Sequence, residues 1–158
     1  MKKQWIGKLL ALRRDRGGNA LLEFALGSGV LISAFTGTFQ FGYTFLQYNN
    51  LENAVTRGAR YASMIPYDSA NATPSAAFQT AVANMVLYGS PTAPPAAVPV
   101  LPSLASSNVR LTVTFAGGVP SAMTVAIDGY ALDSVFAIVT CTNKPQVTFA
   151  YQGIWQPI

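Results

Sequence analysis

The chain has 158 residues, a net charge of +4 and no histidine, and 10% of its residues are charged. Ordinary soluble chains carry ~25% charged residues, and the shortfall is what a chain that is in part an apolar helix would show. The missing histidine excludes Ser-His-Asp and Cys-His catalysis and most transition-metal sites, and the single cysteine, Cys141, excludes an intramolecular disulfide.

The charge is unevenly spread. Residues 1–18 carry Lys2, Lys3, Lys8, Arg13, Arg14 and Arg16 against Asp15, a net +5, and residues 19–158 are −1. Basicity confined to a tail argues against nucleic-acid binding. It places the N-terminus on the cytoplasmic side of a membrane, with the C-terminal part outside. Residues 1–18 read as a basic leader. Trp5, Ile6, Leu9, Leu10 and Arg13 fit a short surface-lying helix, and a solvated tail that only sets topology fits equally well.

Residues 19–47 are predicted to be a transmembrane helix. Phe24 to Leu46 carries no charge, and 23 residues at ~1.5 Å each cover roughly 34 Å, against a hydrocarbon core of ~30 Å. A secretory signal would have a shorter apolar core followed by a small-residue cleavage site, and no such site follows Leu46. Ala25, Gly29, Ser33 and Gly37 recur every four residues. Such a stripe lets helices pack closely in lipid, although small residues are also simply common in spanning helices. Phe41, Phe45 and Tyr48 set aromatics toward the outer interface.

The helix is expected to leave the membrane and run on to residue 64. Leu51, Ala54, Val55, Gly58, Tyr61, Ala62 and Ile65 share one face, and Pro66 ends the helix. A second helix is predicted from Pro74 to Tyr88, closed by Gly89. Residues 90–107 hold five of the ten prolines and read as a Pro/Ala-rich loop. From there the period changes to two. Val109 to Phe115, Met123 to Ile127, Val135 to Thr140 and Val147 to Tyr151 read as strands, with turns at Gly117-Gly118-Val119-Pro120 and Thr142-Asn143-Lys144-Pro145. The fold class expected is α+β. A long N-terminal helix leads into a domain, residues 48–158, with a second helix and a three- or four-stranded antiparallel sheet.

Chemistry-bearing groups are few. Asp128 and Asp133 flank a turn at Gly129, where aspartates ordinarily bond local backbone. Cys141 in an apolar run reads as a small buried hydrophobe. Neither a catalytic residue nor a metal or cofactor is expected. Glu23 stands out, because a carboxylate near the bilayer centre costs roughly 2.5–3.5 kcal/mol and less at the interface. If the chain is cut after Gly18, Asn19 gains an α-amine with reference pKa ~7.7–8.0, one helical turn from Glu23. In parallel helices that amine would meet a neighbour's carboxylate and favour one register. The other reading has Glu23 snorkel to the inner surface.

The run Arg16-Gly17-Gly18-Asn19-Ala20-Leu21-Leu22-Glu23-Phe24-Ala25-Leu26, Gln40-Phe41-Gly42, and Leu51-Glu52-Asn53-Ala54-Val55-Thr56-Arg57-Gly58-Ala59-Arg60-Tyr61-Ala62 together resemble the TadE-like proteins. These are pseudopilins or minor pilins of tight-adherence (Flp) pilus systems. The resemblance covers residues 13–63. It implies cleavage by a prepilin peptidase between Gly18 and Asn19, with Glu23 and Phe24 serving register and recruitment. Phe24 departs mildly, since tyrosine is frequent there in the family. It also implies a single-pass protein of the bacterial inner membrane with a periplasmic domain. Its expected partners are the peptidase, other pilins and pseudopilins, and the inner-membrane assembly platform. An unprocessed, membrane-anchored envelope protein that binds an extracytoplasmic partner is the alternative.

Overall fold

The computed structural model describes residues 16–132 and 139–157. The proposed leader helix at Trp5 to Arg13, Asp133, and most of the strand expected from Val135 lie outside the described residues. The chain is α+β. It divides into two compact units with the boundary between Gly42 and Tyr43.

Helix α1, Arg16–Met64, crosses that boundary as 49 continuous helical residues. It ends two residues before Pro66, as the disfavoured helical region ahead of proline requires. It starts earlier than the apolar pattern suggested, because Gly17 and Gly18 are taken into the helix.

The second unit has its own core. From α1 it takes Leu51, Ala54, Val55, Ala59 and Ala62, all fully buried, which is the face that the 3.6-residue period marked. Helix α2, Ala76–Tyr88, adds Phe78, Val82, Val86 and Leu87. Its cap is Ser75, not Pro74. The Ser75 hydroxyl accepts from Phe78 N–H at 3.1 Å and itself donates to Asp68, satisfying one of the donors a helix start leaves open. Gly89, at φ +71°, closes the helix by donating to Met85 O at 3.0 Å. The Pro/Ala-rich stretch is fastened to this core. Val100 N–H donates to Leu87 O at 2.8 Å, and Leu101 and Leu104 are buried.

A short 3-10 turn, Ser106–Asn108, leads into β1 (Val109–Ala116). Strand β2 (Val119–Ile127) returns antiparallel. The reversal needs only Gly117 and Gly118, at φ +59° and +83°. Two consecutive positive φ values match the twist of a two-residue hairpin, so Val119 and Pro120 belong to the strand and not to the turn. Strand β5 (Gln146–Ala150) pairs with the other side of β2, giving the order β1-β2-β5. Val113, Met123, Val125 and Ile127 point into the core, and Arg110, Thr112 and Thr114 are exposed. Two further strands, β3 (Tyr130–Leu132) and β4 (Val139–Cys141), form a separate two-stranded sheet. The sheet expected to hold three or four strands is therefore three plus two.

The C-terminus is latched to the end of α1. Gln152 N–H donates to Ser63 O at 2.9 Å, Tyr67 N–H to Ile154 O at 3.0 Å, and Gln156 N–H to Tyr67 O at 2.9 Å. Fully buried Tyr67 meets Phe78, Phe115 and Tyr151 edge-on, and Phe115 meets Trp155 in the same way.

Candidate functional site

The residues singled out by sequence, Gly18, Asn19, Glu23, Phe24, Ala25, Gly29, Ser33 and Gly37, all lie in the first unit, on one uninterrupted stretch of α1. The reason is local: from Ala20 to Phe39 there is no proline to break the ladder, and leucine and alanine favour it. The stretch is apolar on every side. Leu21, Leu22, Phe24, Leu26, Val30 and Leu31 are each more than 60% exposed, as are Ile32, Phe35, Phe39 and Phe41. A helix apolar all round needs an apolar surround, either a bilayer or other helices, and this one is long and apolar enough to cross a membrane.

Its polar side chains fit that surround. Ser28 Oγ donates to Ala25 O at 3.0 Å, and Ser33 Oγ to Gly29 O at 2.8 Å. Thr36 Oγ1 donates to Ile32 O at 2.8 Å, and Thr38 Oγ1 to Ala34 O at 3.0 Å. Each hydroxyl is satisfied within its own helix, so none carries an open donor into lipid. Sequence reading passed over this, although serine and threonine one turn after a helical carbonyl are its signal. Gln40, 7% exposed, is the buried residue among positions 18–42.

Asn19 and Glu23 are four residues apart, on neighbouring turns of one face. Glu23 is exposed. Ala25 lies about 160° around the helix from it at ~100° per residue. The acid and the small-residue stripe thus start on opposite faces. Each four-residue step advances the stripe by about 40°, so Gly37, fourteen residues on, returns to within about 40° of Glu23. At Gly18, Gly29 and Gly37 an added Cβ would meet nothing within 4 Å. The glycines leave the helix backbone open to close approach.

Elsewhere among the described residues the titratable groups are scattered. No three of His, Cys, Asp or Glu gather among them. Asp128 is held by Arg110 at 2.9 Å and accepts from Asn143 N–H at 3.3 Å, the local role expected of a turn aspartate. Cys141 is buried, and burial pushes its thiol up, which keeps it from being a ready nucleophile.

Residues 18–60 match the family model described as TadE, TadE-like protein. Over that segment the chain is similar to TadE-like proteins. The match begins at Gly18, takes in Glu23 and the small-residue stripe, and stops within α1, so residues 61–158 lie beyond it. No curated protein and no solved structure matches the chain. TadE-like proteins are associated with Tad pili, and the likeness over that segment suggests the same association for this chain. Its apolar helix suits single-pass membrane anchoring.

Proposed function

We propose that the chain is a pseudopilin-like subunit for assembly, initiation or tip formation of a Tad-type pilus, matured by a prepilin peptidase after Gly18. Residues 1–18 are the leader, 19–47 the membrane span and 48–158 a periplasmic domain. The peptidase, other pilins and pseudopilins, and the inner-membrane assembly platform are its partners.

One observation carries this reading. Glu23 is the lone acid on a helix stretch apolar on all sides, five residues after a glycine at which the family match begins. Such an acid needs a cation, and cleavage creates one four residues away. The local structure supports access to the bond. Gly17 and Gly18 stand directly before Asn19 within α1. Two glycines there lower helix stability by about 1 kcal/mol each relative to alanine. Glu23 and the stripe face different directions at their start, which suits a subunit with neighbours on more than one side. Glu23 sets the register against one neighbour's amine, and Ala25, Gly29, Ser33 and Gly37 admit another neighbour's helix. Phe24 is read with Glu23 during recruitment.

N-terminal sequencing of the protein from cells with and without the peptidase tests the cut. The expected mature chain starts at Asn19 only when the enzyme is present. Glu23→Ala is expected to abolish pili at unchanged protein level. A chain still starting at Met1 in peptidase-positive cells, with normal piliation of the Glu23→Ala strain, would leave an unprocessed anchored envelope protein in its place.

A further inference from the structure

Strand β5 is an edge. Two bonds beside its ladder fix the direction of its backbone groups. Ile127 N–H donates to Pro145 O at 3.1 Å, and Tyr151 N–H donates to Ser121 O at 2.9 Å. Direction alternates along an antiparallel ladder. Val147 and Phe149 therefore face β2, and Gln146, Thr148 and Ala150 turn their N–H and C=O groups away from it. Among the described residues nothing bonds those outward groups. One step further, the outward N–H of Gln152 is taken by Ser63 O of α1, which closes the edge there.

Sheet edges are ordinarily guarded by bulges, charges, proline or a covering element. The opposite edge, β1, has a bulge between Thr114 and Phe115 and lies against α2. Strand β5 has neither guard. Its register with β2 is unbroken, and its sequence, Gln-Val-Thr-Phe-Ala, holds no charge and no proline.

Beside this edge lies a groove of about 310 Å³ lined by Arg60, Ser63, Met64, Phe149, Ala150 and Gln152. The Arg60 guanidinium stands 6.0 Å from the Phe149 ring centroid. At the other end of the strand Lys144 is exposed. Neither cation has a carboxylate within ion-pair distance among the described residues. Positive charge therefore brackets an open row of backbone donors and acceptors.

We propose that the β5 edge takes up an extended segment of another polypeptide as an added strand, and that acidic side chains at the two ends of that segment meet Lys144 and Arg60. Strand β5 itself spans four steps of ~3.4 Å, roughly 14 Å, and the two cations stand toward its opposite ends, so the acids flank a strand of that length. Backbone bonds to Gln146, Thr148 and Ala150 hold the strand, and the two cations select for charge. This property belongs to the second unit and stands whether or not the leader is cut.

The test uses the isotope-labelled full chain in detergent micelles. It is titrated with a capped seven-residue peptide of alternating threonine and valine with glutamate at each end, and with its lysine-ended twin. The glutamate-ended peptide is expected to slow amide exchange at Thr148 and Ala150 and to bind about tenfold more tightly than the lysine-ended one. Thr148→Pro removes an outward N–H and leaves the β2 ladder whole, so it is expected to abolish binding with an unchanged circular dichroism spectrum. Arg60→Glu, an exposed substitution that spares the strand, is expected to remove the preference for glutamate. Unchanged exchange at saturating peptide, or equal binding of both peptides, overturns the proposal. So does slowing of the same amides by concentration alone, which would mean that the edge pairs with a second copy of the chain.

Discussion

Tyr151 Oη sits at a junction of three backbone groups. It accepts from Tyr67 N–H at 2.8 Å, and its proton is placed between Ile154 O at 2.8 Å and Ile65 O at 3.1 Å. Burial pushes the Tyr151 hydroxyl above its ordinary pKa, against the opposing pull of the Tyr67 N–H. Burial does the same to Tyr67, where the Ser69 hydrogen bond lowers the value and the nearby Asp68 and Tyr151 raise it. Both shifts favour the neutral phenol in the folded chain. At alkaline pH the unfolded chain releases these protons first, so it binds fewer protons and stability falls as pH rises. The contribution is complete below the ordinary tyrosine value of ~10 and is lost as pH climbs through the raised folded values. Thermal unfolding of the full chain in detergent is therefore expected to be flat with respect to these groups from neutral pH to about 10 and to fall above it. Tyr151→Phe is expected to shallow that fall and to cost about 1 kcal/mol at neutral pH through the lost hydrogen bonds. An alkaline profile unaltered by Tyr151→Phe would show that the junction does not couple to folding.

Helices α1 and α2 come close where Gly58 faces Val86. A Cβ at position 58 would collide with the Val86 side chain, which is fully buried and stiff at χ1 in a helix. Gly58→Ala is expected to be the sum of two opposed effects. Helix propensity gains about 1 kcal/mol, and overpacking loses ~1–3 kcal/mol. The net expectation is a loss of about 1 kcal/mol in the native background, turning to a gain once Val86→Ala clears the space. Denaturant unfolding of the four chains of this cycle, followed by Trp155 emission in a Trp5→Phe background, measures both signs. An identical Gly58→Ala effect with and without Val86→Ala would remove the packing argument. Position 58 also shows what was legible in the sequence. Its glycine fell on the apolar face by period alone, and the ends of α1 and α2 were marked by Pro66 and Gly89. Strand β3 was not legible, because three residues, Tyr130 to Leu132, are too short to show a period of two. The C-terminal latch was hidden for a different reason. Its bonds run between backbone atoms of Ser63, Tyr67, Gln152, Ile154 and Gln156, which leave no signature in side-chain type. In the candidate site, Glu23 was conspicuous as a charge in an apolar run. The winding of the small-residue stripe away from it emerges only when both are set on one helix.

The whole chain couples two units with opposite demands on solvent. Residues 18–42 bury almost nothing of their own, and residues 43–158 enclose a core built from two helices and two sheets. The first unit needs lipid or neighbouring helices, and the second carries its own core. The charge asymmetry is expected to set which side of a bilayer the second unit occupies. Six basic residues precede Gly18, and residues 19–158 are net −1. Basic residues flanking a span are retained in the cytoplasm, so the folded unit is expected outside. A reporter enzyme that folds only through disulfides is active only in an oxidising compartment. Fused after Ile158 it is expected to be active in intact cells, and fused before Met1 it is expected to be inactive. Changing Lys2, Lys3, Lys8, Arg13, Arg14 and Arg16 to glutamine should lower the active fraction of the C-terminal fusion, because the retention signal is then gone and the remaining basic residues, Arg57, Arg60, Arg110 and Lys144, all follow the span. Equal activity of the two C-terminal fusions would mean that the leader charge does not set orientation. Activity from the N-terminal fusion alone would invert the topology and, with it, put Gly18 and Glu23 on the outer side of the membrane.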